Sequence, residues 1–145
     1  MIVTDLPEIG RVAVMHARGH FDPERMAYET WPGFIQVTCY GCLKETDCCV
    51  VDGMIREAEE ELGPIIGQMV ADDRQRVRLL EQYESHGRDV TLFALLWPDS
   101  SWMRQVVLHA ATGGLRIINE RISIPYARYF MGHDRAALKA IQVVK

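Results

Sequence analysis

The sequence predicts an α+β fold, an antiparallel sheet with flanking helices, in a single domain spanning residues 1–145. Three observations carry that prediction. Two-residue apolar alternation appears at 11–16 and 34–40, a continuous apolar run of strand length stands at 90–97, and helical apolar spacing is confined to the middle and the end of the chain. With 145 residues, 48% hydrophobic and 25% charged, one core suffices, since a chain of this length buries about 70% of the surface that its unfolded form exposes.

In RVAVMH, 11–16, Val12, Val14 and His16 share one strand face while Ala13 and Met15 take the other. Asp22-Pro23 reads as an N-cap with proline at the first helical position, predicting a short helix that Pro32-Gly33 closes. Residues 34–40, FIQVTCY, alternate again and put Ile35, Val37 and Cys39 on one face. Asp52 can cap a helix carrying Ile55, Ala58 and Leu62 at helical spacing, and Gly63-Pro64 breaks it and starts the next. The stripe Ile66, Met69, Val70, Val77, Leu80 and Tyr83 predicts a helix over 65–86 stopped by Gly87. VTLFALLW, 90–97, bounded by Gly87 and Pro98-Asp99, is a central buried strand. WMRQVVLHA, 102–110, and LRIINERISI read as two strands joined by the turn Thr112-Gly113-Gly114, with Arg104, Val106 and Leu108 on one face. A short helix from Asp134 to Val143 closes the chain.

Charge and patterning narrow the partners. The net charge is −4, and the run Glu59, Glu60, Glu61 argues against nucleic acid, whose phosphates demand clustered lysine and arginine. Arg74, Arg76 and Arg78 are interleaved with Asp72 and Asp73 and read as a solvated helix face. No apolar run approaches the roughly 18 to 20 residues of a membrane span, and MIVTDLPEIG lacks the basic and apolar segments of a leader, so a cytoplasmic protein with no membrane partner is expected.

All four cysteines, Cys39, Cys42, Cys48 and Cys49, fall within VTCYGCLKETDCC. In a reducing compartment they are expected as thiols or metal ligands, not cross-links. His16-x3-His20 and Cys39-x2-Cys42 have the within-pair spacings of a tetrahedral Cys2His2 zinc site, in reverse order along the chain. Such a site would be structural, because four protein ligands leave no position for water. Burial competes with it: Cys39 shares a face with Ile35 and Val37, and His16 continues the face of Val12 and Val14. Redox chemistry of the CxxC pair is the third reading. No G-x-S-x-G, P-loop, H-E-x-x-H or G-x-G-x-x-G stretch occurs, so no cofactor other than structural zinc is expected. Tyr126, Tyr129 and Phe130, with Arg128 and His133, offer a pocket mouth, a protein interface or only a partly buried connection.

The stretch RLLEQYESHGRDVTL followed by WMRQVVLHAATGGLRIINERISIP resembles the chorismate lyase and UTRA group over Leu79 to Pro125. The resemblance rests on the pattern R-x-V-x-L…G…E-x-x-x-x-P, carried by Arg104, the Gly113-Gly114 turn, Glu120, Arg121 and Pro125. Members of that group are antiparallel α+β proteins that are either chorismate pyruvate-lyases making 4-hydroxybenzoate or ligand-sensing domains of transcription regulators. The resemblance implies that Arg104 grips a ligand carboxylate, with Arg121 as a second ligand-binding residue and Glu120 as the catalytic acid-base group. A guanidinium suits that task because its planar fork binds a carboxylate bidentately. The glycine preceding the family's second arginine is replaced here, since Asn119-Glu120 stands before Arg121. RVAVMHARGHFDP is similar to the opening strand and turn of GyrI-like effector-binding domains, which also implies a small-molecule ligand.

The leading expectation is a protein that binds a small aromatic carboxylate, with lyase chemistry as its enzymatic form. The alternative is a zinc- or thiol-containing protein-interaction module built on His16, His20, Cys39 and Cys42. A third reading is a protein-binding protein with no small ligand, whose surface would be the acidic 57–61 face and the 126–133 aromatics. A free sheet edge would allow a homodimer.

Overall fold

In the computed structural model, residues 1–19, 21–22, 26–28, 31, 33–85, 87–107, 112–122, 128–129 and 132–144 are described. Strand β1 (Ile2–Leu6) turns directly into β2 (Gly10–Arg18), and the two pair antiparallel from Ile2 opposite Val14 to Leu6 opposite Gly10. A two-stranded ribbon, β3 (Phe21–Asp22) and β4 (Ala27–Tyr28), precedes the short β5 (Ile35–Val37). Helices α1 (Val50–Leu62) and α2 (Pro64–Asp72) follow, then a 3-10 turn at Arg74–Arg76. The hairpin of β6 (Arg78–Ser85) and β7 (Arg88–Asp99) comes next. A second 3-10 turn (Ser100–Gln105), β8 (Thr112–Ile118) and α3 (His133–Val143) complete the order.

Strand β2 organises the sheet. Residues 13 to 16 of β2 pair with β8, while β1 takes 10–14 and β5 takes 15–17. A strand has two edges, so β1 and β5 must lie end to end along one edge and β8 along the other. Beyond β1 come β7, paired parallel to it, and β6; among the described residues β8, β6 and the short β5 are the terminal strands. Apart from one parallel bridge between Ile35 and Tyr129, the other strand pairings described are antiparallel, which bears out the α+β class.

Alternation along the strands feeds two apolar layers. On one face Ile2, Val14, Leu95 and Trp97 pack under Met54, Ala58 and Leu62 of α1 and Ile66 and Val70 of α2. On the other, Val3, Ala13, Met15, Ala94, Leu96 and Ile118 meet Ala137 and Ala140 of α3. Burial of both faces explains why 90–97 is continuously apolar. Gly63, at φ 96°, permits the sharp break between α1 and α2, and Pro64 occupies the first position of α2, where a missing N–H costs nothing.

Three expected elements differ. The helix from Asp22 is instead the β3–β4 ribbon, with Asp22 opposite Ala27 and Met26 at a left-handed φ of 50°. Asp-Pro initiates turns as readily as helices. The helix expected over 65–86 ends at Asp72, and its second half is β6, because pairing with β7 overrides a stripe that satisfied the helical period by coincidence. Arg74 and Arg76 consequently lie in a 3-10 turn and Arg78 in a strand, where no shared helix face exists.

The strand expected at 102–110 begins as a 3-10 turn, capped by Asp99, whose carboxylate accepts from Ser101 N at 2.8 Å and from Ser101 Oγ at 2.7 Å. That turn drives Trp102, 1% exposed, into the core against Trp97 at 5.2 Å between ring centroids. Gly113 and Gly114 fall inside β8, which pairs with β2, and no hairpin turn forms at them. No helix among the described residues is long and apolar enough to cross a membrane.

Candidate functional site

The strand lengths leave a gap in the sheet. Strand β1 pairs with β7 only from Leu95 onward, with Met1 N donating to Phe93 O and Leu95 N to Met1 O, whereas β7 begins at Arg88. Its first half is therefore flanked by β6 on one side and, among the described residues, by no strand on the other. A cavity of about 290 Å³ fills that gap, lined by Arg88–Phe93, the end of β5, the 39–43 loop, the first turns of α1, and His133 and Ala136 of α3.

The loop that walls the cavity is held by buried charge. Glu61, on the last turn of α1, accepts from Cys39 N and, at 3.2 Å, from Tyr40 N. Cys39 has φ 60°, so the two successive N–H groups converge on the carboxylate as in an anion-binding nest. Glu61 Oε2 also lies 3.2 Å from His16 Nδ1, in an alignment too poor for a hydrogen bond. Beyond it, Arg18 Nη1 donates to Gln36 Oε1 at 2.6 Å, which turns the Gln36 amide nitrogen to donate to His16 Nε2. The His16 proton is thereby assigned to Nδ1, facing Glu61.

Arg56 fastens the rest of the loop. Its guanidinium donates to both Asp47 oxygens at 3.1 and 3.0 Å, to Cys42 O at 2.9 Å, and to Glu57 and Glu60. Hydrogen bonds from Arg56 and from Lys44 N hold the Asp47 carboxyl below its usual range. A Cβ at Gly41 would meet the end of the Glu57 side chain, which would have to shift.

Within the cavity the polar groups differ in charge state. His133 Nδ1 accepts from Val37 N at 3.1 Å, so its proton sits on Nε2. Burial, reinforced by the charge of Arg18, pushes the imidazole down to about 4, and it is neutral at physiological pH. Tyr40 meets it edge-on at 4.7 Å, and burial raises the Tyr40 phenol. Glu57 is raised as well, since desolvation outweighs its pairing with Arg56. Arg88 is different: no described carboxylate lies within ion-pair distance of it, while its charge reaches the Tyr40 hydroxyl. Tyr83 and Phe93 add aromatic surface.

The residues singled out from sequence are dispersed. Arg104 is exposed on the 3-10 turn, Glu120 is exposed and accepts from Gln142 Nε2 at 3.1 Å, and Arg121 is exposed with its N–H donating to Asn119 Oδ1. None of the three lines the cavity. Cys39 and Cys42 do line it, but His16 lies beneath the loop with one ring nitrogen taken by Gln36, and His20 is outside the described residues. Among the described residues no group of three or more His, Cys, Asp and Glu is arranged to hold a metal. Of the aromatic segment, Tyr126 and Phe130 are outside the described residues, as are Leu108 and Pro125, whereas His133 stands in the cavity wall. The acidic run is split, with Glu60 at the surface beside Lys44 and Glu61 turned inward.

Sequence reasoning missed Arg88, Tyr40, Arg56 and Glu61. An arginine after a turn glycine carries no signal of its own, and the gap in the sheet that gives Arg88 its setting depends on strand order. No protein-family model matches the chain, and no curated protein matches it.

Proposed function

We propose that the protein binds a small aromatic carboxylate in the cavity beside β7, with Arg88 holding the carboxylate. The observation that carries this reading is a largely apolar and aromatic cavity with one uncommitted guanidinium at its edge. Ligand sites combine these two features, an apolar body and a few placed polar groups that fix orientation. The ring of the ligand would lie among Tyr40, Phe93 and Tyr83, with His133 contributing a neutral imidazole to the cavity wall. Arg56 is unsuited to the anchoring role, being already engaged by three carboxylates. Arg88 thus takes the part that the sequence resemblance gave to Arg104. Binding, not turnover, is the function proposed: the cavity's buried acid, Glu57, is held by Arg56.

Thermal-shift measurements with 4-hydroxybenzoate separate the two arginines. Wild type and Arg104→Ala are expected to be stabilised equally, and Arg88→Ala to lose at least about tenfold in affinity with an unchanged circular dichroism spectrum. Loss of binding on Arg104→Ala with full retention on Arg88→Ala would reverse the assignment.

A further inference from the structure

A second cavity, also of about 290 Å³, abuts the first. Tyr83, Leu92 and Ala136 line both. Each volume by itself lies at the lower edge of the roughly 300–1,000 Å³ typical of ligand sites, and the pair together falls inside that range. Two cations, Arg135 and Lys139, and one carboxylate, Glu81, line the second compartment. Arg135 lines it with no described carboxylate in ion-pair distance, and Lys139 is paired with Glu81 at 2.8 Å in a contact where both side chains are over two-fifths exposed. An exposed pair of this kind is weak and can be exchanged for a ligand anion. Gly132, at φ 78°, puts no side chain across this end of α3. Tyr83, on the edge strand β6, is 39% exposed.

From the two uncommitted guanidinium groups, one in each compartment across Tyr83, we infer that the ligand is elongated and anionic at both ends, with an apolar middle that lies against Tyr83 and Leu92. This rests on the carboxylate-binding reading of the first cavity and adds the second anionic group and its anchor, Arg135. Shape and charge both follow: the first compartment supplies apolar walls and Arg88, and the second supplies Arg135 with Lys139 beside it.

A matched pair of probes isolates the second charge. Calorimetric titration of the whole chain with biphenyl-4-carboxylate and biphenyl-4,4′-dicarboxylate is expected to show the dianion binding about tenfold tighter, the scale of one added guanidinium–carboxylate contact. Arg135→Ala, an exposed helical position suited to alanine, is expected to bring the dianion back to the monoanion's affinity and leave the monoanion unchanged. Arg88→Ala weakens both. Monoanion binding with no gain for the dianion, or a gain that survives in Arg135→Ala, would overturn this inference and leave the first-cavity reading standing. If neither probe binds the wild type, this inference is overturned, and binding of 4-hydroxybenzoate then decides the first-cavity reading separately.

Discussion

His133 keeps a neutral imidazole inside the protein because its Nδ1 must accept from Val37 N while burial and nearby positive charge disfavour a second proton. The folded protein takes up that proton only near pH 4, whereas the unfolded chain takes it up around 6.5. The unfolded state therefore binds more protons between those values, and stability is fully present above about pH 6.5 and falls as the pH drops toward 4, by a loss on the order of 3 kcal/mol. Urea midpoints measured across this window should fall with acidity in wild type. In His133→Asn, which keeps an acceptor for Val37 N, the dependence should be much flatter; an equally steep profile in the variant would assign it to other groups. Cys39 gives a second test at this scale. Burial pushes its thiol up to about 12, while Cys42, Cys48 and Cys49 are exposed. Thiol titration of the native protein should find three fast groups and a much slower Cys39, and four equally fast groups would contradict the placement of the loop.

Between elements, one carboxylate joins the α1 end, the 39–40 loop and β2. Replacing Glu61 with alanine strands the N–H groups of Cys39 and Tyr40 and leaves His16 facing no acceptor, so a loss of about 2–4 kcal/mol is expected. Glu61→Gln, which keeps one acceptor oxygen, should cost less, and denaturant unfolding of both variants decides it; equal and negligible losses would show the loop to be held otherwise. What could be read at this scale depended on locality. The break between α1 and α2 was legible because Gly63 and Pro64 act through their own backbones. Strand β6 was not, because only its pairing with β7 makes 78–85 extended, and neither was the 3-10 turn that carries Trp102 inward. Strand β1 went unread because its five residues alternate too briefly to register.

At the scale of the whole molecule, the two apolar layers were legible as a class: strands apolar on both faces require cover on both, and α1–α2 and α3 provide it. The order of the strands was not legible, and the cavity is a consequence of that order. It opens where β1 and β5 meet end to end along β2 while β7 runs on past both. Arg88, Tyr40 and His133 come from three distant parts of the sequence and share a wall only through this arrangement. The residues favoured by family resemblance, Arg104, Glu120 and Arg121, sit outside it.

The most direct test of the proposed site is a backbone-amide NMR titration of the protein with 4-hydroxybenzoate. Shifts concentrated at Tyr40, Arg88 to Thr91 and His133 are predicted, and shifts centred on Arg104 and Arg121, or none up to saturating ligand, would contradict it.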